Sequence, residues 1–153
     1  MKAVSLSSEY KGSAAGADAV WSDLELWPRF IDGFDHVVRT TGSWPEVGAT
    51  LTWESRGGGR GTVVERVVEH QPAERFRFGF EDTQMVGERE VLFEDVDDGG
   101  VIIQVSLSYE LRKRGPLAAV TELFFIRSAL LDALKRELES FGHELEVPHP
   151  HHS

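Results

Sequence analysis

The sequence contains no cysteine, and this absence excludes several kinds of site. Without a thiol, the chain forms no disulfide, offers no thiolate nucleophile and supplies no sulfur ligand to zinc or an iron–sulfur cluster. Long apolar runs are also missing, since no stretch approaches the roughly 20 residues that a membrane-spanning helix needs. The opening residues lack the apolar core and cleavage site of a secretory signal. We therefore expect a cytoplasmic protein.

Positive charge is scarce as well. Lysine and arginine together number 16 against 26 aspartates and glutamates, which gives a formal net charge of -10 at pH 7. This charge repels phosphate backbones and anionic lipid surfaces, so we predict neither nucleic acid nor a membrane as a partner. The hydrophobic fraction of 41% is that of an ordinary globular protein, which is sufficient for a buried core.

The length of 153 residues is near the commonest size of a single domain. No repeat or linker divides the chain, so we predict one domain over residues 1–146. The remaining residues, 147–153, are rich in histidine and proline, and we predict that they form a disordered tail. We expect the protein to be a monomer or a weak homodimer.

The hydrophobic period changes along the chain. Residues 3–10 alternate between apolar and polar side chains, which predicts a first strand. Asp18 and the Trp27-Pro28 pair then start two short helices. From about residue 36 to residue 112 the period returns to two, which predicts an antiparallel meander of about six strands. Turn signals divide this meander at residues 43–45, 56–61, 71–72 and 97–100.

A long C-terminal helix follows the meander. Pro116 suits the first turn of a helix, and a period of three and four residues continues from there to about Glu144. This helix must cover the concave face of a curved sheet, because both surfaces are apolar. The predicted class is α+β, a helix-grip fold with a curved antiparallel sheet of about seven strands around one long helix. The apolar stripe of the helix comprises Val120, Leu123, Phe124, Leu130, Leu131, Leu134, Leu138 and Phe141.

Three short segments carry a resemblance to a known family. They are residues 20–24 (VWSDL), residues 27–30 (WPRF) and the Val47-Gly48 pair before a strand. With the order of strand, two short helices, meander and long helix, these segments resemble the polyketide cyclase/dehydrase branch of the SRPBCC superfamily, which is START-related and Bet v 1-like. The similarity extends from residue 4 to about residue 146.

The resemblance implies a cavity between the sheet and the C-terminal helix, of the usual roughly 300–1,000 Å³. Its ligand would be a small hydrophobic or amphipathic molecule of the lipid, polyketide or aromatic-acid type. Similar proteins suggest two alternatives. One is a cofactor-independent polyketide cyclase or aromatase that acts by positioning and acid–base catalysis. The other is a protein-interaction module of the Hsp90-activator-like kind, for which Phe125 and Ile126, off the main stripe, would be contact residues.

Arg127 is the least expected residue of the helix, because it falls at the centre of the apolar stripe. A guanidinium on the concave face needs a partner, since an unpaired buried charge costs several kcal/mol. That partner is either the carboxylate, enolate or phenolate of a ligand, or a sheet carboxylate such as Glu54 or Glu65. The remaining alternative is a side chain that extends to the mouth of the cavity.

Tyr109 has the inward parity of the last strand, so its hydroxyl can act in the cavity as a donor or general acid. It can equally be a core aromatic residue whose hydroxyl reaches the sheet edge. Arg127 and Tyr109 are therefore the candidates for catalysis and for orienting the polar end of a ligand. The predicted walls of the cavity comprise Trp53, Phe76, Phe78, Phe80, Phe93, Leu107, Phe124, Leu131 and Leu134.

Other motifs give weaker signals. His36 and His70 lie at strand ends, where exposed histidines are ordinary, and the pattern identifies no carboxylate partner for either. The glycine-rich residues 56–61 lack the lysine and the following helix of a phosphate loop, so they predict a hairpin. The acidic residues 94–98 lack the ligand spacing of a calcium loop. We predict no required metal and no cofactor.

Overall fold

The computed structural model describes residues 2–112 and 119–146, and for residues 119–124 it describes the backbone alone. The predicted helix start at Pro116 and the predicted tail, residues 147–153, lie outside these described residues. Within them the order of elements is the predicted one. The strands are β1 (Lys2–Lys11), β2 (Phe34–Thr41), β3 (Thr50–Ser55), β4 (Thr62–Gln71), β5 (Arg75–Glu81), β6 (Met85–Val96) and β7 (Gly100–Leu111), and the helices are α1 (Ala14–Ser22), α2 (Trp27–Phe30) and α3 (Ala119–Glu146).

The seven strands form one antiparallel sheet in the order β1-β7-β6-β5-β4-β3-β2. From β2 to β7 each strand pairs with the next one along the chain, and β1 then pairs with β7. Helices α1 and α2 fill the connection between β1 and β2, while α3 packs mainly against β1 and α2. This arrangement confirms the predicted helix-grip fold.

The core follows from the period-two pattern, because successive side chains of a strand point to opposite faces of the sheet. Val101, Ile103 and Val105 of β7 are each fully buried, whereas Ile102 and Gln104 between them are half-buried and exposed, respectively. Trp21 and Trp27 extend the core into the two short helices. Burying one large apolar side chain contributes about 1.5–3 kcal/mol, so these aromatic and branched residues dominate the stability of the fold.

The second half of α3 is anchored closely to the sheet. The hydroxyl of Tyr10 donates to the carbonyl of Leu138 at 2.7 Å. Gly142 makes this approach possible, since a Cβ atom there would lie 2.7 Å from the ring of Tyr10. Phe141, which directly precedes Gly142, packs its ring against that of Trp21 in α1 at 4.9 Å between centroids. The helix end is therefore fixed by aromatic packing and one buried hydrogen bond.

Gly87 lies in β6, between two paired strands. It pairs with Phe80 of β5 and Tyr109 of β7. A Cβ atom at this position would collide with the carbonyl oxygen of Ser108 and lie 2.8 Å from the Cα of Tyr109. Because both obstacles are backbone atoms, a side chain fits here only if the two strands separate.

We predict that Gly87→Ala lowers the free energy of unfolding by about 3 kcal/mol, the upper range for forced overpacking. Gly79→Ala in the neighbouring strand is the matched control, because its Cβ would meet nothing closer than a Val68 methyl at 3.9 Å. We expect that control to change stability by less than about 1 kcal/mol. Urea unfolding of both variants measures the difference, and equal losses would contradict the steric explanation.

Candidate functional site

A cavity of about 50 Å³ lies between α3 and the inner face of the sheet. Its walls combine apolar side chains with four charged ones, and two of these, Arg89 and Glu137, are buried, which is unusual for charged residues. The apolar residues are Met85, Leu107, Leu130, Ala133 and Leu134, and the charged residues are Asp32, Arg60, Arg89 and Glu137.

Arg89 and Glu137 form an ion pair across this cavity. Arg89 is an inward-facing residue of β6, two positions before Val91, and Glu137 lies on the buried side of α3 beside Leu138. Each residue is only 3% exposed. The guanidinium Nη1 donates to the Glu137 carboxylate at 3.4 Å, which is a long contact for a charge-assisted hydrogen bond. The pair therefore links the sheet to the helix through one long hydrogen bond.

Glu65 of β4 supplies a second carboxylate near Arg89. Its Oε2 accepts a hydrogen bond from the indole Nε1 of Trp53 at 2.8 Å. Two buried atoms in this group have no hydrogen-bond partner among the described residues, the Nε of Arg89 and the Oε1 of Glu65. A buried polar atom without a partner costs about 1–3 kcal/mol, so these atoms are the places where a bound polar group would be stabilised most.

Arg60 places a second guanidinium at the edge of the cavity. It lies in the connection between β3 and β4, and its Nε donates to the buried carboxylate of Asp82 at 2.9 Å. The guanidinium carbon also sits 5.3 Å from the ring centroid of Trp53 and 5.6 Å from that of Phe80. These contacts fix Arg60 in place, because cation–π attraction and an ion pair act on the same group.

The electrostatics of the pair depend on burial. Burial raises the pKa of the Glu137 carboxyl above its usual value, although Arg89, Arg60 and a backbone N–H of Asp32 act to lower it. For Arg89, burial opposes the charge, but the carboxylates of Glu137 and Glu65 raise the pKa of the guanidinium. Arg89 therefore stays charged, while Glu137 is the member of the pair that can change its protonation state.

Residues 125–131 of α3 cover the sheet less closely than the residues that follow them. Phe125 is 67% exposed and Ala129 is also exposed, while Leu130 and Leu131 are half-buried. Ile126 is half-buried against the core. The cavity thus lies beneath the part of α3 where the covering changes from partial to complete.

The predicted wall residues have different positions in the structure. Leu107 and Leu134 line the cavity. Leu131 is half-buried, and the side chain of Phe124 lies outside the described ones. The cavity itself is several times smaller than the roughly 300–1,000 Å³ expected of a ligand site. The remaining predicted residues are buried in the core around it, namely Trp53, Phe76, Phe78, Phe80 and Phe93.

The expected position of Arg127 on the concave face requires correction. Its side chain is exposed, and its Nη1 donates to the carbonyl of Ala3 in the edge strand β1. It pairs with neither suggested carboxylate, because Glu65 accepts from Trp53 and Glu54 accepts from the hydroxyl of Thr62. A helical wheel orders residues around the axis but does not show how far the sheet extends beneath the helix.

Tyr109 is buried with 1% exposure and faces inward beside Gly87. Its role as a donor or general acid stays a prediction. The sequence reasoning missed all four charged cavity residues, Asp32, Arg60, Arg89 and Glu137. The signal for Arg89 was present, because extending the inward alternation of β6 back from Phe93 and Val91 reaches it.

One of the two histidines differs from expectation. His70 is half-buried rather than exposed, and its Nε2 lies 2.9 Å from the Oδ1 of Asp18. Its ring stacks on Phe76 at 4.2 Å between centroids. His36 is exposed and contacts only the adjacent Asp35. Within residues 2–112 and 119–146, no group of three or more histidine, aspartate or glutamate residues is arranged to hold a metal ion.

The fold and this partly polar cavity define a helix-grip protein, and comparison with known proteins identifies the family. A family model described as polyketide cyclase / dehydrase and lipid transport matches residues 1–146. The chain belongs to this family. No curated protein sequence matches it. None of the helices in the described part of the chain is both long and apolar enough to span a bilayer.

Several different proteins of known structure have the same fold. The Zhui aromatase/cyclase from Streptomyces sp. R1128 is 12% identical, with a TM-score of 0.78 over 95% of this chain and 93% of that one. Norcoclaurine synthase from Thalictrum flavum is 14% identical, with a TM-score of 0.72 over 97% and 95%. A START superfamily protein from Mycobacterium smegmatis is 14% identical, with a TM-score of 0.70 over 94% and 97%. At these identities the likeness shows the fold alone.

We predict that Glu137→Leu destabilises the protein by about 3–5 kcal/mol, because it leaves the charge of Arg89 buried without its partner. The double variant Arg89→Met, Glu137→Leu should recover most of this loss, since two apolar side chains replace two buried charges. Arg136→Met on the same helix is the control, because it removes an exposed ion pair with Asp32 and should cost less than about 1 kcal/mol. A double-mutant cycle by urea unfolding measures the coupling, and additive effects would contradict it.

Proposed function

We propose that the protein binds a small amphipathic molecule between the sheet and α3. The apolar body of the ligand would lie against Leu107, Leu130 and Leu134, and its polar end would meet Arg89 and Arg60. The observation that carries this proposal is a buried guanidinium that lines an apolar-walled cavity and keeps one N–H without a partner among the described residues.

Stability alone does not account for the charged residues in the cavity. Replacing a buried ion pair by apolar side chains of similar volume is often neutral or stabilising. The aromatic core around the cavity already supplies the apolar burial that the fold needs. Ionisable groups with shifted pKa values that line a cavity are instead typical of functional sites. Arg89 and Glu137 meet this description, which supports a binding role.

Ligand access requires a change in the position of α3. The cavity of about 50 Å³ has room for one or two water molecules but not for a ligand of drug size. The second half of α3 is held by Tyr10 and Phe141, whereas the segment of residues 125–131 exposes Phe125 and Ala129. We therefore expect residues 125–131 to move outward and the second half of α3 to stay in place.

We predict that Ala133→Phe weakens ligand binding at least about tenfold, because Ala133 lines the cavity and the added ring fills it. Ala129→Phe is the matched control, since Ala129 lies one turn earlier on α3 and is exposed. Binding of fatty acids, flavonoids and polycyclic phenols would be followed by tryptophan fluorescence, because Trp53 adjoins the charged group. Failure of every compound to bind the unaltered protein would contradict the proposed function.

A cyclase-type reaction is the second candidate function. The specific observation in its favour is the Glu137 carboxyl, whose pKa burial raises and which shares a cavity with Arg89 and Arg60. Such a carboxyl can move a proton, while the two guanidinium groups stabilise developing enolate charge.

If Glu137 is the acid of a cyclase-type reaction, we predict that Glu137→Gln lowers turnover of a linear poly-β-ketone thioester by about 100-fold or more, the usual contribution of acid–base catalysis. Product formation by the unaltered protein and by this variant would be compared by chromatography. Glu144→Gln is the control, because Glu144 pairs with Arg29 at the far end of α3. Equal turnover by the two variants would exclude Glu137 as the acid, and absence of product with the unaltered protein would leave binding as the function.

A further inference from the structure

We propose that the ligand is an anion whose charged group replaces Glu137 on Arg89, and that the displaced Glu137 carboxylate takes up one proton. This inference rests on the proposed function, because it assigns the chemical class of the ligand for the same cavity. It adds a linkage between binding and pH that ligand binding by itself does not require.

The geometry of Arg89 favours exchange of its partner. Arg89 gives Glu137 a single contact of 3.4 Å from Nη1, and the Nε of Arg89 has no partner among the described residues. Arg136 on the same helix shows what a complete pair looks like, since it donates to both oxygens of Asp32 at 2.8 and 3.0 Å. An anion with two or three oxygens can bind Nε and an Nη of Arg89 together, and such bidentate pairs are the stronger ones.

The charges around the pair require a proton to accompany the anion. Arg89 on β6 and Arg60 beside β4 are the cations, and Arg60 is already paired with Asp82. Glu65 on β4 and Asp32 before β2 are further carboxylates close to the pair. If a ligand anion took Arg89 and Glu137 stayed ionised, a negative charge would remain buried beside Glu65 without a cation.

The other elements that pack against α3 supply no further cation for Glu137 among the described contacts, and the additional partner of its carboxyl is the neutral backbone N–H of Asp32. Tyr10 of β1 donates to the Leu138 carbonyl. Arg29 of α2 pairs with Glu144, seven residues further along α3. The stable outcome is therefore a neutral Glu137, since a buried charge without a cation costs more than its protonation.

The exchange involves no covalent step, and its charges balance. In the free protein, the Arg89 guanidinium faces the Glu137 carboxylate. In the complex, the guanidinium faces the ligand anion, and Glu137 is a carboxylic acid whose proton comes from the solvent. A neutral ligand of the same shape offers Arg89 no charge, so it binds without proton uptake.

The direction of the pH dependence follows from the same contacts. Burial raises the pKa of Glu137, and the charge of Arg89 opposes that rise in the free protein. Once a ligand anion neutralises the charge of Arg89, that charge no longer lowers the pKa of Glu137. The pKa of Glu137 therefore rises further. Between the two pKa values binding takes up one proton, so the affinity falls about tenfold for each unit of rising pH.

Two fluorescent probes with the same ring system test the proposal. 1-Anilinonaphthalene-8-sulfonate carries a sulfonate that stays ionised throughout, so any proton taken up belongs to the protein. N-Phenyl-1-naphthylamine is its neutral counterpart. We expect sulfonate affinity to fall as the pH rises from about 5 to about 8, with up to one proton taken up in calorimetric titrations in buffers of different ionisation heat. The neutral probe should bind independently of pH.

Variants distinguish the ion-pair exchange from binding in general. Glu137→Gln should bind the sulfonate without pH dependence and, at the alkaline end, more tightly than the unaltered protein. Glu144→Gln should keep the original pH dependence. Arg89→Met combined with Glu137→Leu should lose preference for the sulfonate and keep the neutral probe.

The possible failures are separable. If both probes bind, and Ala133→Phe weakens both, but neither takes up a proton, the exchange is wrong and the binding function stands. If neither probe binds, or if Ala133→Phe leaves both affinities unchanged, the proposed function fails and the exchange fails with it. Because the proton measurement uses the unaltered protein, an unfolded variant does not affect it.

Discussion

The packing of α3 across the concave face of the sheet is the interaction on which this structure depends. The inner sides of the strands carry large apolar residues, and a curved sheet with one such face is stable only when another element covers it. Leu134, Leu138 and Phe141 provide that cover in the second half of the helix. Tyr10 and Gly142 then bring helix and sheet close enough for a direct hydrogen bond.

The same helix has a second, less complete contact with the sheet. From residue 125 to residue 131 its side chains are exposed or half-buried, and the cavity lies where this segment meets the anchored one. Local opening involves the parts of a structure with the fewest buried contacts, so residues 125–131 are the part of α3 that we expect to move. Glu137 belongs to the anchored half of α3, so the ion pair stays in place while residues 125–131 move.

The periodicity of the sequence was sufficient to predict the fold, and it was only partly sufficient for the site. Alternation in β5 and β7 identified the inward side chains, because a strand repeats every two residues wherever it lies. The same rule applied to β6 leads from Phe93 to Arg89, but it cannot show that Glu137 is opposite. For Arg127 the pattern was misleading, since it placed the residue on the apolar side of α3 but not its distance from the sheet edge.

A buried ion pair that the fold does not need is informative about function for a thermodynamic reason. Each charge loses its hydration on burial, and the long Arg89–Glu137 contact recovers only part of that cost. Two aliphatic side chains would fill the same space without it. The pair therefore keeps a guanidinium desolvated and incompletely bonded, so a better acceptor gains more from binding it than it would at the surface. Shared fold at 12–14% identity says nothing of that acceptor, whereas the incompletely bonded guanidinium of Arg89 is the observation that supports an anion.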